Sequence, residues 1–335
     1  MYMDYDFSLI PFDKIVKLGQ TSMLEKDLFT VSWLLGRYCN YKCSYCWAHG
    51  RSDVKDHRPT ELCLKTIDSI KEQARAQGFN SFHFSLSGGE PTLHPGYLDI
   101  LNRLAEDILN TNYTSIHMTT NLSRGFKWFE KYIEYAIKFN RASITASYHQ
   151  EFIKDNNNFA SKLLFLQKEG IKITINIVMV PERFTELYEI ASFFYDKGLN
   201  TSLKPQSDPH AGYVVKGYTK EQLDILHNGM PRLENKKSVM QVELIDDTGK
   251  VWYMDQAERF NAFNFNCFKG WECESGYRSI IIREPCGSIK RSYSCIDKPI
   301  GNIETGFKLF DKPKVCISPS CVSSADSKIP KKKIY

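Results

Sequence analysis

Three cysteines near the start of the chain are spaced so that a single loop can hold a metal centre. Cys39, Cys43 and Cys46 fall within eight residues in the pattern C-x3-C-x2-C. Thiolates are the ligands of soft metals and of iron–sulfur clusters. A structural zinc site needs a fourth protein ligand, whereas a [4Fe–4S] cluster on three thiolates keeps one iron open. The triplet therefore favours an iron–sulfur cluster, and the alternative is a zinc site completed by a distant His49 or His57.

A second group of cysteines lies far along the chain. Six of the ten cysteines fall between residues 267 and 321, and none lies between 64 and 266. Cysteines scattered through a core would not leave such a gap, so the distribution predicts two separate metal sites. Cys63 falls on the apolar stripe of a predicted helix and is interpreted as a core residue.

The composition is that of an ordinary soluble protein. The chain has 335 residues, 42% of them hydrophobic and 25% charged, with a net charge of +5. Part of that charge is a lysine-rich end, Lys328 to Lys333, which is interpreted as solvated and not as a nucleic-acid contact. The first residues are acidic and aromatic, and no apolar run reaches the ~18 residues that span a membrane. We therefore expect a cytoplasmic protein without membrane or nucleic-acid partners, whose cysteines serve metal sites and not disulfides.

The elements between the two groups alternate between strands and helices. Strands of β-branched, largely apolar residues are predicted at 29–35, 80–86, 115–120, 143–148, 171–179 and 201–204. Helices are predicted at 60–77, 97–109, 127–139, 158–168 and 182–197. Such alternation indicates parallel βα units, although the spacing does not separate a closed barrel from an open sheet. Two β-hairpins are predicted beyond residue 235, at 239–254 around Asp246–Gly249 and at 279–294.

The first cysteine triplet resembles the signature of radical S-adenosylmethionine (SAM) enzymes. In this chain Tyr45 supplies the aromatic residue before the last cysteine, and the triplet follows the first strand. The resemblance implies that SAM chelates the open iron of a [4Fe–4S] cluster and is cleaved reductively. The 5′-deoxyadenosyl radical so formed takes hydrogen from an unreactive C–H bond. The resemblance also implies an α/β fold with a partial (βα)6 TIM-type barrel.

Further motifs strengthen the resemblance. Gly88-Gly89-Glu90-Pro91 follows the second strand and is similar to the family's GGEP motif, whose glutamate lies at the SAM amino group. By itself the motif requires no more than a tight turn between strand and helix.

Several residues at the ends of later strands match positions that contact SAM or substrate in the family. The SAM-contacting candidates are Thr120, Asn121, Ser147 and Val178, and the substrate candidates are His149 and Lys204. The alternatives are a helix N-cap at 119–121, a structural role for His149 and core packing for Val178.

The second cysteine group resembles the Twitch or SPASM regions that bind an auxiliary [4Fe–4S] cluster. The best fit makes Cys273, Cys295, Cys316 and Cys321 the ligands and leaves Cys267 and Cys286 spare, with Cys267 or Cys286 in place of Cys273 as the alternative. Zinc or no metal is the alternative. The predicted domains are an N-terminal extension at 1–28, the barrel at 29–235, the auxiliary-cluster domain at 236–325 and a basic tail at 326–335.

The predicted activity is radical SAM chemistry on a small molecule such as a sugar, nucleotide or amino-acid derivative, giving oxidation, epimerisation or bond formation. An electron donor such as flavodoxin or ferredoxin is expected. The alternative substrate is a ribosomal peptide, although the 38 residues before Cys39 are too few for a fused leader-binding domain. A non-enzymatic iron–sulfur or zinc scaffold is the alternative of another class. Candidates for a general acid or base are His149, Lys204, Glu243 and Tyr253.

Overall fold

The computed structural model of the chain describes residues 6–47, 51–209, 213–230, 233, 241–255 and 259–334. The chain divides into two compact units. The central unit comprises Trp33–Ile67 and Phe84–Leu233. The terminal unit comprises Met1–Ser32, Asp68–His83 and Glu234–Tyr335.

Most of the long elements lie between residues 28 and 228. The strands are β2 (Leu28–Leu34), β3 (Ser81–Ser87), β4 (Tyr113–Thr120), β5 (Arg141–Tyr148), β6 (Lys172–Met179) and β7 (Thr201–Pro205). The helices are α2 (Thr60–Ala76), α3 (Tyr97–Ala105), α4 (Phe126–Ala136), α5 (Asn156–Lys168), α6 (Phe184–Asp196) and α7 (Lys220–Asn228). Strands β2 and β3 and helix α2 have residues in both units.

The shorter elements belong to the terminal unit. Its strands are β1 (Ile15–Gln20), β8 (Val242–Asp246), β9 (Val251–Met254), β10 (Glu272–Cys273), β11 (Ser279–Arg283), β12 (Ser288–Lys290), β13 (Gly301–Asn302), β14 (Gly306–Phe307), β15 (Lys314–Val315) and β16 (Lys331–Lys332). Its helices are α1 (Thr21–Lys26), α8 (Arg259–Ala262) and α9 (Ser324–Ser327).

The strands of the central unit follow one another in sequence order across the sheet. The order is β2-β3-β4-β5-β6-β7, and β4 through β7 pair in parallel. The register sets Ser147 opposite Asn176 and Val178 opposite Lys204. Because parallel strands end at the same edge, these registers bring the residues at their carboxyl ends together.

The two faces of this sheet differ in polarity. Every second residue of β5 and β6 is buried, and those residues are Ala142, Ile144, Ala146, Tyr148, Ile173, Ile175, Ile177 and Met179. The residues between them are half-buried and mostly polar: Ser143, Thr145, Ser147, Thr174, Asn176 and Val178. The expectation of largely apolar strands therefore holds for one face only, and the other face carries hydrogen-bonding side chains.

The helices present apolar stripes with a helical period. In α3 the buried residues include Ile100, Leu101 and Leu104. Helix α5 begins where the Asp155 carboxylate accepts a hydrogen bond from the backbone N–H of Asn158 at 2.9 Å, which satisfies one of the unpaired donors of its first turn.

The terminal unit contains a six-stranded antiparallel sheet in the order β15-β10-β16-β1-β8-β9. Its core is rich in aromatic residues, with Phe260 and Phe268 fully buried and Trp271 nearly so. Strands β11 to β14 form a second antiparallel ladder in this unit. The two hairpins predicted from the sequence are β8–β9 and β11–β12.

Both chain ends are more ordered than the sequence suggests. Strand β1, which lies in the predicted N-terminal extension, pairs with β8 and β16. Lys331, which lies in the predicted solvated tail, is only 3% exposed. Its ammonium donates hydrogen bonds to the carbonyls of Asp326, Ser327 and Ile329 at 2.8 to 3.0 Å. The interpretation of Lys331 as solvated is therefore wrong, because the ammonium satisfies carbonyls that end helix α9.

The predicted α/β fold is confirmed, with a parallel sheet built from strand–helix alternations and with C-terminal hairpins. The predicted domain boundaries after residues 28, 235 and 325 stay predictions. Within the described ranges, every helix is too short or too polar to cross a membrane.

Replacing the buried ammonium tests its structural role. Lys331→Met should lower the free energy of unfolding by about 1–3 kcal/mol, because buried carbonyls lose their donor. Thermal unfolding measures the change. The matched control is Lys332→Met, since Lys332 is the exposed neighbour on the same strand. Equal melting temperatures for the two variants would show that the buried hydrogen bonds of Lys331 contribute nothing to stability.

Candidate functional site

The first cysteine triplet lies on the loop that follows β2. Cys43 is buried, and Cys39 and Cys46 are half-buried. Burial raises the pKa of all three thiols, that of Cys43 to about 12. Metal binding would therefore have to displace protons from these thiols.

The start of the cysteine loop is held by the glycine loop that follows β3. The N–H of Gly89 donates to the carbonyl of Gly36 at 3.0 Å, and that of Glu90 donates to the carbonyl of Tyr38 at 2.8 Å. A Cβ on Gly89 would overlap the carbonyl oxygens of Arg37 and Tyr38. Glycine is therefore required at this position because two backbones meet there.

The carboxylate of Glu90 is the most buried acidic group of the site, at 1% exposure. It accepts hydrogen bonds from the N–H and hydroxyl of Thr92 at 3.1 and 2.6 Å. It also accepts from the Thr120 hydroxyl at 2.8 Å and from the Asn121 N–H at 2.6 Å. Burial raises the pKa of Glu90, and these hydrogen bonds oppose the increase. The predicted residues Glu90, Thr120 and Asn121 therefore form one connected group.

Asn121 links this group to the cysteine loop. Its amide nitrogen donates to the side-chain oxygen of Asn40 at 2.9 Å and lies 3.8 Å from the Cys39 sulfur. Cys39 and Glu90, which are 51 residues apart in the sequence, are thus joined through one residue, whose backbone N–H contacts Glu90 and whose side chain contacts Cys39.

The loop after β5 contacts the other side of the cysteine loop. The Nδ1 atom of His149 lies 3.2 Å from the Cys43 sulfur and 3.0 Å from the Tyr45 hydroxyl. The carboxylate of Glu151 accepts hydrogen bonds from the N–H of Ser44 at 2.9 Å and from its hydroxyl. His149, interpreted from the sequence as a substrate or structural residue, therefore touches a predicted metal ligand directly.

The remaining predicted residues lie on the polar face of the central sheet. Ser147, Val178 and Lys204 are all half-buried on β5, β6 and β7. Sequence reasoning missed Asn176, which is level with Ser147, and His117, whose Nδ1 lies 2.9 Å from the Ser143 hydroxyl. For Asn176 the sequence does contain a signal, because polar and apolar residues alternate along β6 in Thr174-Ile175-Asn176-Ile177.

Of the two histidines that could complete a zinc site on the cysteine triplet, His57 lies within the described residues. The Nδ1 atom of His57 lies 3.4 Å from the Leu35 carbonyl, and its ring packs edge-on against Tyr38 and His94. His49 lies outside the described residues. Among those residues, no three His, Cys, Asp or Glu side chains are grouped to hold a single metal ion. The assignment of Cys39, Cys43 and Cys46 as ligands therefore stays a prediction.

Four cysteines of the second group line one cavity in the terminal unit. They are Cys273, Cys295, Cys316 and Cys321, and the cavity is also lined by serines, Asp326 and Lys331. Cys267 and Cys286 are exposed and do not line it. Cys63 is buried on α2, where its sulfur lies 3.8 Å from Nε2 of His94.

Buried cations accompany this second group. Burial raises the pKa of Cys295, Cys316 and Cys321, the last to about 12. The charge of Lys331 acts in the opposite direction on Cys316 and Cys321, and that of Arg291 on Cys295 and Cys316. Arg291 is 3% exposed and paired with Asp297 at 2.9 Å. Fixed positive charge beside several thiols favours their deprotonated form.

Comparison with known proteins decides the family. The family model described as the radical SAM superfamily matches residues 33–194. The chain belongs to the radical SAM superfamily. It is therefore an enzyme of that superfamily, whose members bind a [4Fe–4S] cluster and SAM, and the non-enzymatic scaffold is set aside. The matched residues include the cysteine triplet, the glycine loop with Glu90, and the strand ends that carry Asn121 and His149.

Solved structures of anSMEcpe share this radical SAM fold. Native anSMEcpe with bound AdoMet (SAM) is 18% identical, with a TM-score of 0.53, over 83% of this chain and 78% of that chain. A hexahistidine-tagged form of anSMEcpe with bound AdoMet gives 17% and 0.52 over the same shares. Native anSMEcpe with bound AdoMet and the Cp18Cys peptide gives 16% and 0.50, over 83% and 77%. At such identities the likeness concerns the fold alone. No curated protein matches the chain.

The close approach of the glycine loop to the cysteine loop predicts that adding a methyl group at Gly89 disturbs the site. Gly89→Ala should lower the melting temperature by several degrees, since overpacking costs about 1–3 kcal/mol, and should reduce iron uptake on reconstitution. The control is Gly125→Ala, because a Cβ at Gly125 meets no atom within 4 Å. Wild-type melting temperature and iron content in Gly89→Ala would contradict the close approach of the two backbones.

Proposed function

We propose that this radical SAM enzyme holds its SAM-binding [4Fe–4S] cluster on Cys39, Cys43 and Cys46 and acts on a small polar substrate. The observation that carries the proposal is the convergence on the cysteine loop of the Glu90 loop, Asn121 and His149. When bound, the cluster and SAM supply a radical that removes hydrogen from an unreactive C–H bond. The residues of the chain hold, orient and shield these groups.

The donor set suits these cofactors. Three partly or fully buried thiols on one loop suit a soft iron centre and leave one iron of a four-iron cluster without a protein ligand. Glu90 is buried and uses several acceptor positions within the protein, so its carboxylate has a fixed orientation. A fixed carboxylate beside the glycine loop suits the SAM ammonium group. Ser147 and Val178 are proposed to contact the rest of SAM, and Tyr45 and Asn121 to border it.

The polar face of the central sheet supports a small polar substrate. Ser147, Asn176 and Lys204 are half-buried on neighbouring strands, and these side chains offer donors and acceptors. A sugar, nucleotide or amino-acid derivative carries polar groups that can hydrogen-bond to such side chains. His149 is proposed here as a neighbour of the cluster, and Lys204 as the better substrate candidate.

A peptide substrate is the second candidate. The observation in its favour is that anSMEcpe, whose fold this chain shares, has been solved with AdoMet and the Cp18Cys or Kp18Cys peptide bound. Oxidation, crosslinking and epimerisation of a peptide all begin from the same hydrogen abstraction, so the site described above serves either class of substrate.

An auxiliary [4Fe–4S] cluster on Cys273, Cys295, Cys316 and Cys321 is also part of the proposal. These four cysteines line one cavity, which is the number that ligates such a cluster fully. Lys331 and Arg291 place positive charge near these cysteines, which offsets part of the increase in pKa that burial causes. Such a cluster would accept an electron from the substrate. The SAM-binding cluster would receive its electron from a flavodoxin or ferredoxin, in the cytoplasm.

Iron and acid-labile sulfide per chain test the ligand assignments. After anaerobic reconstitution, the wild type should hold about eight irons and the Cys39/Cys43/Cys46→Ala variant about four. The matched control, Cys267→Ala/Cys286→Ala, removes the two exposed cysteines and should keep the wild-type content.

Two other results would each contradict the assignment of one set of cysteine ligands. A wild type with about four irons that the triple variant loses would remove the auxiliary cluster from the proposal. A triple variant with the full wild-type iron content would contradict the assignment of Cys39, Cys43 and Cys46.

A further inference from the structure

The inference concerns His149, whose Nδ1 atom lies 3.2 Å from the Cys43 sulfur. The same nitrogen lies 3.0 Å from the Tyr45 hydroxyl, and that hydroxyl donates to the side-chain oxygen of Gln150 at 3.2 Å. The imidazole, the phenol and the amide thus form a short chain of polar groups that ends at the sulfur.

Counting protons shows which hydrogen bonds can form once Cys43 is a metal ligand. A thiolate sulfur can only accept, and the Tyr45 hydroxyl has a single proton, for which Gln150, His149 and the sulfur itself are the available acceptors. A neutral imidazole carries one ring proton, on Nδ1 or on Nε2. With that proton on Nδ1, the ring donates to the Cys43 sulfur, and the Tyr45 oxygen lies close enough to share it.

The position of His149 is fixed by its neighbours along the loop. Glu151, two residues on, accepts both hydrogen bonds from Ser44. The ring of Phe152 stacks on that of Tyr41, with centroids 4.6 Å apart and planes at 8°. The loop after β5 therefore contacts the cysteine loop on both sides of Cys43, at Ser44 and at Tyr41. The imidazole of His149 contacts Cys43 itself, between these two residues.

We propose that His149 is a positioning residue that donates a hydrogen bond to the Cys43 sulfur and thereby raises the reduction potential of the cluster. The inference rests on the proposed function, because it requires Cys43 to bind iron. The reduced cluster carries one more negative charge, and a donor to its sulfur stabilises that charge more than it stabilises the oxidised form. Removing the donor should therefore make the cluster harder to reduce.

Three substitutions separate the donor from the bulk of the side chain. His149→Leu removes the donor, and His149→Asn places an amide N–H near the position of Nδ1. His149→Gln keeps an amide but carries it farther along the side chain. His227→Leu is the control, since His227 is an exposed histidine on α7 of the same unit.

The measurement is a redox titration followed by electron paramagnetic resonance, on reconstituted protein of known iron content with SAM added. Only a cluster with an open iron changes its signal when SAM binds, so the SAM-responsive signal is the one titrated. We expect His149→Leu to keep its iron and to titrate at a more negative potential. His149→Asn should return toward the wild-type value, and His227→Leu should match it.

An unchanged potential in iron-loaded His149→Leu overturns the inference and leaves the proposed function standing. If His149→Leu takes up no iron, the comparison passes to His149→Asn and His149→Gln. A more negative potential in the Gln variant supports the inference, and equal potentials overturn it. Persistence of the SAM-responsive signal in the Cys39/Cys43/Cys46→Ala variant would instead show that the proposed function has failed.

Discussion

The burial of one carboxylate organises the site of this radical SAM enzyme. An acidic group at 1% exposure is stable only if hydrogen bonds replace its lost water. Glu90 meets this requirement with donors from its own turn and from the end of β4, while its backbone N–H holds the residue before Cys39. The hydrogen bonds of Glu90 therefore hold three segments together that are remote in the sequence: its own turn, the end of β4 and the residue before Cys39. Asn121, whose N–H satisfies Glu90, also directs its amide toward Cys39.

The two cysteine groups differ in how their sulfurs are stabilised. Around the first group, the groups close to the sulfurs are neutral: the imidazole of His149 and the amide of Asn121. Arg51 also acts to lower the pKa of Cys39 and Cys46, against the larger effect of burial, and it is paired with Asp53 as Arg291 is with Asp297. Around the second group, Lys331 and Arg291 contribute buried positive charge. Neutral hydrogen-bonding groups thus lie close to sulfurs of the first group, whereas buried charged groups lie beside those of the second.

Much of the fold could be predicted because its signals are local. Strand β6 alternates at every second residue, and the cysteine triplet occupies one loop. These patterns are set by neighbours within a few residues, so they are visible in the sequence. The grouping of Cys273 with Cys321 could be predicted only from the resemblance to auxiliary-cluster regions.

Other features could not be predicted, because they depend on pairings between short and distant segments. Strand β16 has two residues and no period of its own, so the burial of Lys331 appears only when it pairs with β1 and β10. The contact between Cys43 and His149 joins residues 106 apart in the sequence. A histidine at a strand end is equally compatible with a substrate ligand, so only the structure gives its partner.

The central claim is that Cys39, Cys43 and Cys46 carry the radical SAM chemistry of this chain. The most direct test is to incubate reconstituted protein with SAM and dithionite without oxygen and to measure 5′-deoxyadenosine by chromatography. We expect the wild type to form 5′-deoxyadenosine and Cys43→Ala to form none above the enzyme-free level. A fully iron-loaded wild type that forms none, or a Cys43→Ala variant that forms as much as the wild type, would contradict the claim.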